Sequence, residues 1–260
     1  MPELSPIFEH ISAVNALVVG ATGGIGLALA EALAGKTQVA QLFVVARAAS
    51  GNPALAALAA AHPGRVVALD CDISDERSLT RMAAAVAQRV SALHLTINAS
   101  GALHGDGLLA EKSLAQVTLA SLQASFAINA FAPVLLAKAL MPLLRRSQPT
   151  VFASLSARVG SISDNRLGGW YSYRAAKAAQ NQLLKTLAIE LARLNKQSIV
   201  LALHPGTTDT ALSKPFQSNV SPAKLFTPVF VAEALLQVIS QREPADSGGF
   251  YAWDGTRICW

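Results

Sequence analysis

The chain has 260 residues, 52% of them hydrophobic and 14% charged, with a formal net charge of +5. That size and composition exclude a disordered chain and suit one compact α/β domain better than two small ones. The basic residues are scattered, with no arginine-rich stripe interleaved with aromatics, so nucleic acid is not expected as a partner; a phosphate-bearing ligand is the better account of the excess charge.

The first residues lack the basic start, apolar core and small-residue cleavage site of a leader and read as a lead into a first strand, "NALVVG" (15–20). "GIGLALAEALAG" (24–35) predicts a helix ending at a glycine, and "QLFVVA" (41–46) a second strand. "NPALAALAAAH" predicts a helix with Pro53 near its start, and "RVVALD" (65–70) a third strand. "SDERSLTRMAAAVAQRV" predicts a helix with Ser74 as N-cap, followed by a fourth strand in "LHLTINAS" (93–100). A long helix over about 118–146 comes next, then a strand, "TVFASLS" (150–156), a loop, and a helix over about 171–194. "SIVLALHPG" (198–206) is a sixth strand, followed by a helix over about 229–241 and a last strand in "GGFYAWDG". The segment 213–228 has three prolines and no periodicity and is expected to be a mobile loop.

Strands that are continuous apolar runs separated by helices imply a parallel sheet covered on both faces. Seven of them predict a doubly wound α/β fold, with residues 1–260 forming a single domain. No uninterrupted apolar run reaches the ~18–20 residues of a membrane span; the stretch around 126–144 is broken by Asn129, Lys138 and two prolines. Cys71 and Cys259 form no CxxC and no metal-ligand spacing, so neither a disulfide scaffold nor a metal site is expected. A cytoplasmic protein away from membranes is the default expectation.

"VVGATGGIGLALAEAL" joins the first strand to the first helix, and Gly20, Gly24 and Gly26 give G-x-x-x-G-x-G. Glycines there let the chain turn tightly and bring backbone N–H groups at a helix N-terminus up to a pyrophosphate. The loop predicts a dinucleotide site, contacted by Gly20, Thr22, Gly23, Gly24, Ile25 and Gly26. At the end of the second strand, NAD sites place an acid for the ribose hydroxyls, whereas a 2′-phosphate needs that acid absent and a cation nearby. Ala46 stands at this position and Arg47 follows, which favours NADP(H) over NAD(H).

From this point the chain resembles the short-chain dehydrogenase/reductase family in its single-domain Rossmann form, over about residues 14–255. "CDISD" resembles the segment that lines the adenine, which implies Asp72 and Ile73 there. "NASG" resembles the family's N-N-A-G and implies Asn98, Ala99 and Ser100 at the cofactor, although Ala99 and Ser100 replace the usual Asn and Ala. "PGTTDT" resembles the segment beside the nicotinamide and implies Pro205, Gly206, Thr208 and Thr210. Tyr173 and Lys177 match Y-x-x-x-K. The run "SARVGSISDN…GGWYSYRAAKAA" looks like that of C-factor-like and carbonyl-reductase-like bacterial members.

The resemblance implies hydride transfer between a cofactor and a carbonyl or secondary alcohol, with a tyrosine exchanging the proton. Geometry selects which one. Tyr173 and Lys177 are four apart and share a helix face, whereas Tyr171 and Lys177 are six apart, about 240° around the helix. Tyr173 is therefore the expected acid/base, with Lys177 lowering its pKa and holding the nicotinamide ribose. Ser156 is the expected donor to the substrate carbonyl, with Ser154, two residues back on the same side of the strand, as the alternative. The family's usual serine lies three residues before the following glycine, where this chain has Ala157; Ser156 lies four before Gly160 and seventeen before Tyr173. Asn129 matches a family asparagine that anchors a water leading to the lysine, and Pro133 cannot donate to its carbonyl, so the helix should kink there. His204 reads as structural, and His104 as a residue that could line the cleft. Arg174 is expected to point away from the chemistry.

The expected function is an NADP(H)-dependent oxidoreductase acting on a small carbonyl or alcohol, a homodimer or homotetramer, with the segment 206–228 and residues 158–169 covering the cleft. A dinucleotide-binding sensor or signalling protein with little turnover is the competing expectation, kept open by the altered serine spacing.

Overall fold

The computed structural model describes residues 8–105, 107–146 and 148–260. The strands are β1 (Val14–Val19), β2 (Val39–Ala46), β3 (Val66–Asp70), β4 (Leu95–Asn98), β5 (Thr150–Leu155), β6 (Ser198–His204), β7 (Thr207–Thr208), β8 (Leu225–Phe226) and β9 (Gly249–Ala252). Seven form one parallel sheet in the order β3-β2-β1-β4-β5-β6-β9, and β7 pairs with β8 separately. Adjacent side chains of a strand serve opposite faces. Along β1, Val14, Ala16 and Val18 join one core, and Leu17 and Val19 the other.

The first core lies under α1 (Gly24–Ala34), α2 (Pro53–Ala61) and, further along the sheet, α7 (Pro228–Ser240). The second lies under α3 (Glu76–Ala87), α5 (Ala132–Leu144) and α6 (Tyr171–Leu194). Each fully buried Leu, Val or Phe contributes roughly 1.5–3 kcal/mol relative to exposure, which is why continuous apolar runs suffice to define such a sheet. The chain leaves β1 toward β2 and β3, then crosses to β4 on the other side of β1. This reversal opens a crevice at the carboxyl ends of β1 and β4, the place where open α/β sheets bind ligands.

Two local expectations are corrected and a third segment gains detail. The N-cap of α3 is Asp75, whose carboxylate accepts from the N–H groups of Arg77 (3.1 Å) and Ser78 (3.0 Å); the Ser74 hydroxyl instead donates to Asp72 (2.6 Å). The helix expected over about 118–146 is composite: α4 (Leu119–Phe126) passes through a π turn (Ala127–Phe131) into α5. Pro133 has no N–H for the carbonyl of residue 129, and the ladder widens so that the Ala132 N–H donates to the Ala127 carbonyl. The segment 213–228 is not structureless either. It holds 3₁₀ turns at Lys214–Asn219 and Pro222–Lys224, each with a proline in its first positions, and ends in the β7–β8 pairing.

Taken through the π turn, Leu119–Leu144 is 26 residues long, with a window of mean hydropathy 1.7, and passes the length and composition of a membrane span despite its interruptions. Half of that window is buried in the fold, and Leu136, Leu140 and Leu144 belong to the second core.

Candidate active site

The glycine loop is shaped by close approach. A Cβ on Gly26 would lie 2.0 Å from the Gly20 carbonyl oxygen, and Gly20 itself has φ +78 and backs onto Ala99 and Ser100. Thr22 and Gly23 are exposed, while Ile25 is half-buried against the first core. No side chain caps α1, so its first N–H groups are left for a ligand. Thr210 leans over this end, its Cγ2 3.0 Å from where a Cβ on Gly24 would stand.

Beyond β2, Arg47 is exposed. Asp72 accepts from the Ser74 N–H (2.9 Å) and hydroxyl, which with the nearby Arg47 charge hold its carboxyl below the usual range. Ile73 is buried. The acid in register with Ala46 is Asp70 on β3, and its carboxylate accepts from the Ser50 N–H (2.8 Å) and hydroxyl (2.6 Å). Ala46 itself offers no acceptor at the ribose position.

At the end of β4, Asn98 is fully buried. Its Nδ2 donates to Ser154 Oγ (3.0 Å), and its Oδ1 accepts from the Ser100 N–H (3.2 Å) and hydroxyl (2.5 Å). The Ala99 N–H donates to the Val19 carbonyl (2.9 Å). Asn98 thus shapes the turn behind Gly20. After β6 and Pro205, Gly206 (φ +73) packs on the rings of Phe226 and Trp253. Thr208 is buried, and its hydroxyl has no hydrogen-bond partner among the described residues.

Tyr173 and Lys177 occupy the first two turns of α6, both buried, with Lys177 Nζ 5.7 Å from the centre of the Tyr173 ring. Lys177 Nζ donates to the Leu155 carbonyl (2.9 Å) and to Gln180 Oε1 (2.8 Å), and Gln180 Nε2 donates to Ser154 Oγ (2.8 Å). Gln180 was not singled out in the sequence; its signal is a buried amide three residues after Lys177 on the same helix face. Burial pushes the Tyr173 phenol well up and the Lys177 ammonium down to about 7. Desolvation disfavours the charged form of each group and is the cause of both shifts. Gly160 lets α6 approach, since a Cβ there would lie 2.9 Å from the Lys177 backbone.

Both serines are engaged by α6. Ser156 is buried and its hydroxyl donates to Asn181 Oδ1 (2.6 Å). Ser154 is buried under α6, accepting from Asn98 and Gln180. Among the described residues neither donates to Tyr173, because Ser154 on β5 and Ser156 just past its end both face the middle of α6. Asn129 lies in the π turn. Its Oδ1 accepts from the Ala102 N–H (3.0 Å) and its Nδ2 donates to the Ala102 carbonyl (2.8 Å) and Ser125 Oγ (3.3 Å). A Cβ on Gly101 would lie 3.2 Å from Asn129 Oδ1 and 3.6 Å from Lys177 Nζ, so these residues meet in one corner.

An aromatic edge borders Tyr173. Trp170 sits edge-on to Tyr173 (centroids 6.3 Å apart) and to Phe216 (4.9 Å), and Phe216 meets His104 (5.9 Å). His104 Nε2 is 3.1 Å from the Leu212 carbonyl, which ties the loop after β4 to the segment that follows β7. Trp170 has φ +52, a left-handed conformation costly for a bulky residue, and follows Gly168 and Gly169 at φ +65 and +66. Arg174 holds this bend by donating to the Gly168, Gly169 and Val159 carbonyls, away from Lys177. Tyr171 is exposed. His204 accepts from the Arg158 N–H (3.3 Å), and burial brings it down to about 4, a neutral structural imidazole.

Residues 14–221 match the profile of the short chain dehydrogenase family. The chain is 30% identical over 148 residues to the C-signal protein of Myxococcus xanthus, covering 57% of this chain and 84% of that one. It is 28% identical over 244 residues to a 1-hydroxy-2-glutathionyl-2-methyl-3-butene dehydrogenase of Rhodococcus sp. strain AD45, covering 94% and 98%. Among solved structures it is similar to the NADPH-bound carbonyl reductase from chicken fatty liver, with TM-score 0.84, 28% identity, and coverage of 95% and 99%. It is also similar to the carbonyl reductase Sniffer of D. melanogaster, with TM-score 0.83, 26% identity, and coverage of 95% and 99%.

Proposed function

The chain belongs to the short-chain dehydrogenase family, and we propose that within it the protein is an NADP(H)-dependent reductase that interconverts a carbonyl and a secondary alcohol, with Tyr173 exchanging the proton. The observation that carries this reading is the buried Tyr173–Lys177 pair on one face of α6, at the carboxyl ends of the strands.

The residues present fit a dinucleotide. The cradle that a Cβ on Gly26 would fill, and the uncapped start of α1, suit a pyrophosphate held by Gly20, Thr22, Gly23, Gly24, Ile25 and Gly26. Arg47 would meet a 2′-phosphate, Asp72 and Ile73 the adenine, and Pro205, Gly206, Thr208 and Thr210 the nicotinamide end. The preference for NADP(H) rests on Ala46 and Arg47, and the NADPH-bound carbonyl reductase is a relative in keeping with it. When bound, the cofactor supplies or accepts the hydride.

The remaining chemistry is a proton. The Tyr173 phenol, raised by burial, is protonated through the neutral range and holds the proton that an alkoxide would take. Lys177, with its pKa near 7, can carry the compensating charge when the tyrosine gives up its proton. Ser156 would serve as the carbonyl's donor only when its proton turns from Asn181 to the substrate. The aromatic edge of Trp170 and Phe216 suits a substrate with an apolar flank beside the carbonyl.

Oxidation of NADPH followed by absorbance across a panel of aryl and alkyl ketones and diketones tests the reading. We expect turnover that falls by at least about 10²-fold in Tyr173→Phe. Full turnover by that variant on a carbonyl reduced by the wild type overturns it. The bond from Ser156 to Asn181 favours a second reading, a dinucleotide-binding sensor; tight NADPH binding with no oxidation by any carbonyl would select it. Exposed Leu119, Phe131, Ile189 and Leu194 on α4, the π turn and α6 support a homo-oligomer, to be read from sedimentation.

A further inference from the structure

Tyr173 stands in the first turn of α6, where a helix is weakest, because its first four N–H groups lack intrahelical partners. The residue at the N-cap position gives no help: Trp170 is left-handed and its side chain makes no capping bond. The missing acceptor comes from elsewhere. Glu111 is fully buried. One of its carboxylate oxygens accepts from the Ser172 N–H (3.3 Å), the other from the Ser172 hydroxyl and from the Ser121 hydroxyl of α4 (3.2 Å). Its backbone carbonyl accepts from the Trp170 N–H (2.5 Å). Among the described residues no Lys or Arg forms an ion pair with it. A carboxylate buried without a cation is costly unless hydrogen bonds and a helix dipole hold it, and here they converge on Trp170 and Ser172, just ahead of Tyr173.

We propose that Glu111 is the positioning residue of the proton-transfer site: it caps α6 from the neighbouring loop and fixes the turn that presents Tyr173. This rests on the reading of Tyr173 as the acid/base. The carboxylate stays ionised because the bonds from Ser172 and Ser121 outweigh the effect of burial, which alone would push it up. Glu111 touches no reacting atom in this arrangement. It acts through Ser172 and Trp170, which also sets the edge of Trp170 against Tyr173.

The test uses the full chain labelled with 3-fluorotyrosine. It has three tyrosines, so Tyr173→Phe assigns the Tyr173 resonance. Glu111→Ala, Glu111→Gln and Ser172→Ala are compared with the wild type by fluorine NMR, by amide exchange over residues 170–174, and by NADPH oxidation with 1-phenyl-1,2-propanedione. We expect Glu111→Ala to broaden or split the Tyr173 signal, leave that of Tyr251 in place, and speed exchange over 170–174 about tenfold, as loss of a cap does. Glu111→Gln, which keeps an acceptor, should restore most of both. Ser172→Ala should reproduce a weaker form of the change and decides the matter if Glu111→Ala does not fold. An unmoved Tyr173 signal and unchanged exchange in the folded variants overturn the proposal. Full turnover by Tyr173→Phe overturns instead the reading on which it rests, and the two failures are separately visible.

Discussion

On the β1–β3 side the cleft is made of backbone: a glycine carbonyl 2.0 Å from where a side chain would begin, and an uncapped helix start. On the β5–β6 side it is made of buried polar side chains that hold one another. Asn98, Ser154, Gln180 and Lys177 form one chain of hydrogen bonds, and Ser156 with Asn181 another. The first side is a shape that steric limits dictate. The second is a network in which each hydroxyl or amide has chosen among several partners, and the choice sets what remains for a substrate.

Five substitutions test that contrast. The largest effect belongs to the backbone side. Gly26→Ala should weaken NADPH binding, read by fluorescence titration, at least about 100-fold, or roughly 3 kcal/mol. Gly23→Ala, where a Cβ meets no atom within 4 Å, should stay within about threefold. A loop that tolerated both changes alike would break the distinction.

Next comes Lys177→Met, read as melting temperature against pH without cofactor. Wild-type Lys177, at about 7, is neutral in the folded chain above that pH, while an unfolded lysine keeps its proton toward 10.5. The unfolded state then binds more protons, so this group makes stability rise from pH 7 toward 10.5. Tyr173, raised from 10.0, acts oppositely and lowers stability above pH 10. Lys177→Met should remove the rising limb and leave the falling one; an unchanged profile would show that Lys177 is charged and solvated.

Gln180→Leu should cost about 1–2 kcal/mol in urea unfolding, since it strips an acceptor from Lys177 and a donor from Ser154. The smallest effect is expected of Ser156→Ala: about 1 kcal/mol of stability, with turnover on a reduced carbonyl within about threefold. A 10²-fold loss of turnover would give that hydroxyl the carbonyl-donor role its place at the strand end suggests.

The same contrast explains what could be read from residues alone. The apolar runs announce the seven strands because burial on both faces leaves little other choice, and α6 begins at Tyr171 and ends at Leu194 as its periodicity predicts. The glycine loop is legible for the same steric reason. The partners of buried polar groups are not. Ser154 on β5 and Ser156 just past its end lie two residues apart, but only the packing of α6 decides that they meet Gln180 and Asn181. Glu111 carries no local signal, since its partners lie ten and 61 residues away. The pairing of Tyr173 with Lys177 follows from helical spacing, whereas the direction of their pKa shifts depends on a depth of burial that spacing does not encode. Even the cap of α3 turned on which of two adjacent polar residues, Ser74 or Asp75, was already engaged.

The π turn between α4 and α5 also acts as a phase shifter. A regular helix rotates about 100° per residue, and the wide turn absorbs one residue, so the two flanking helices are out of step by that amount. Asn129 is aimed at Ala102 in one register, while Leu136 and Leu140 fill the core in the other. Deleting Ala130 would bring the helices into step and oblige the chain to choose between its core and its polar corner. The run from 119 to 144 is therefore intolerant of length changes in a way its apolar, alanine- and leucine-rich sequence conceals. Alignments that place a gap there would join chains whose helices agree in composition but not in phase.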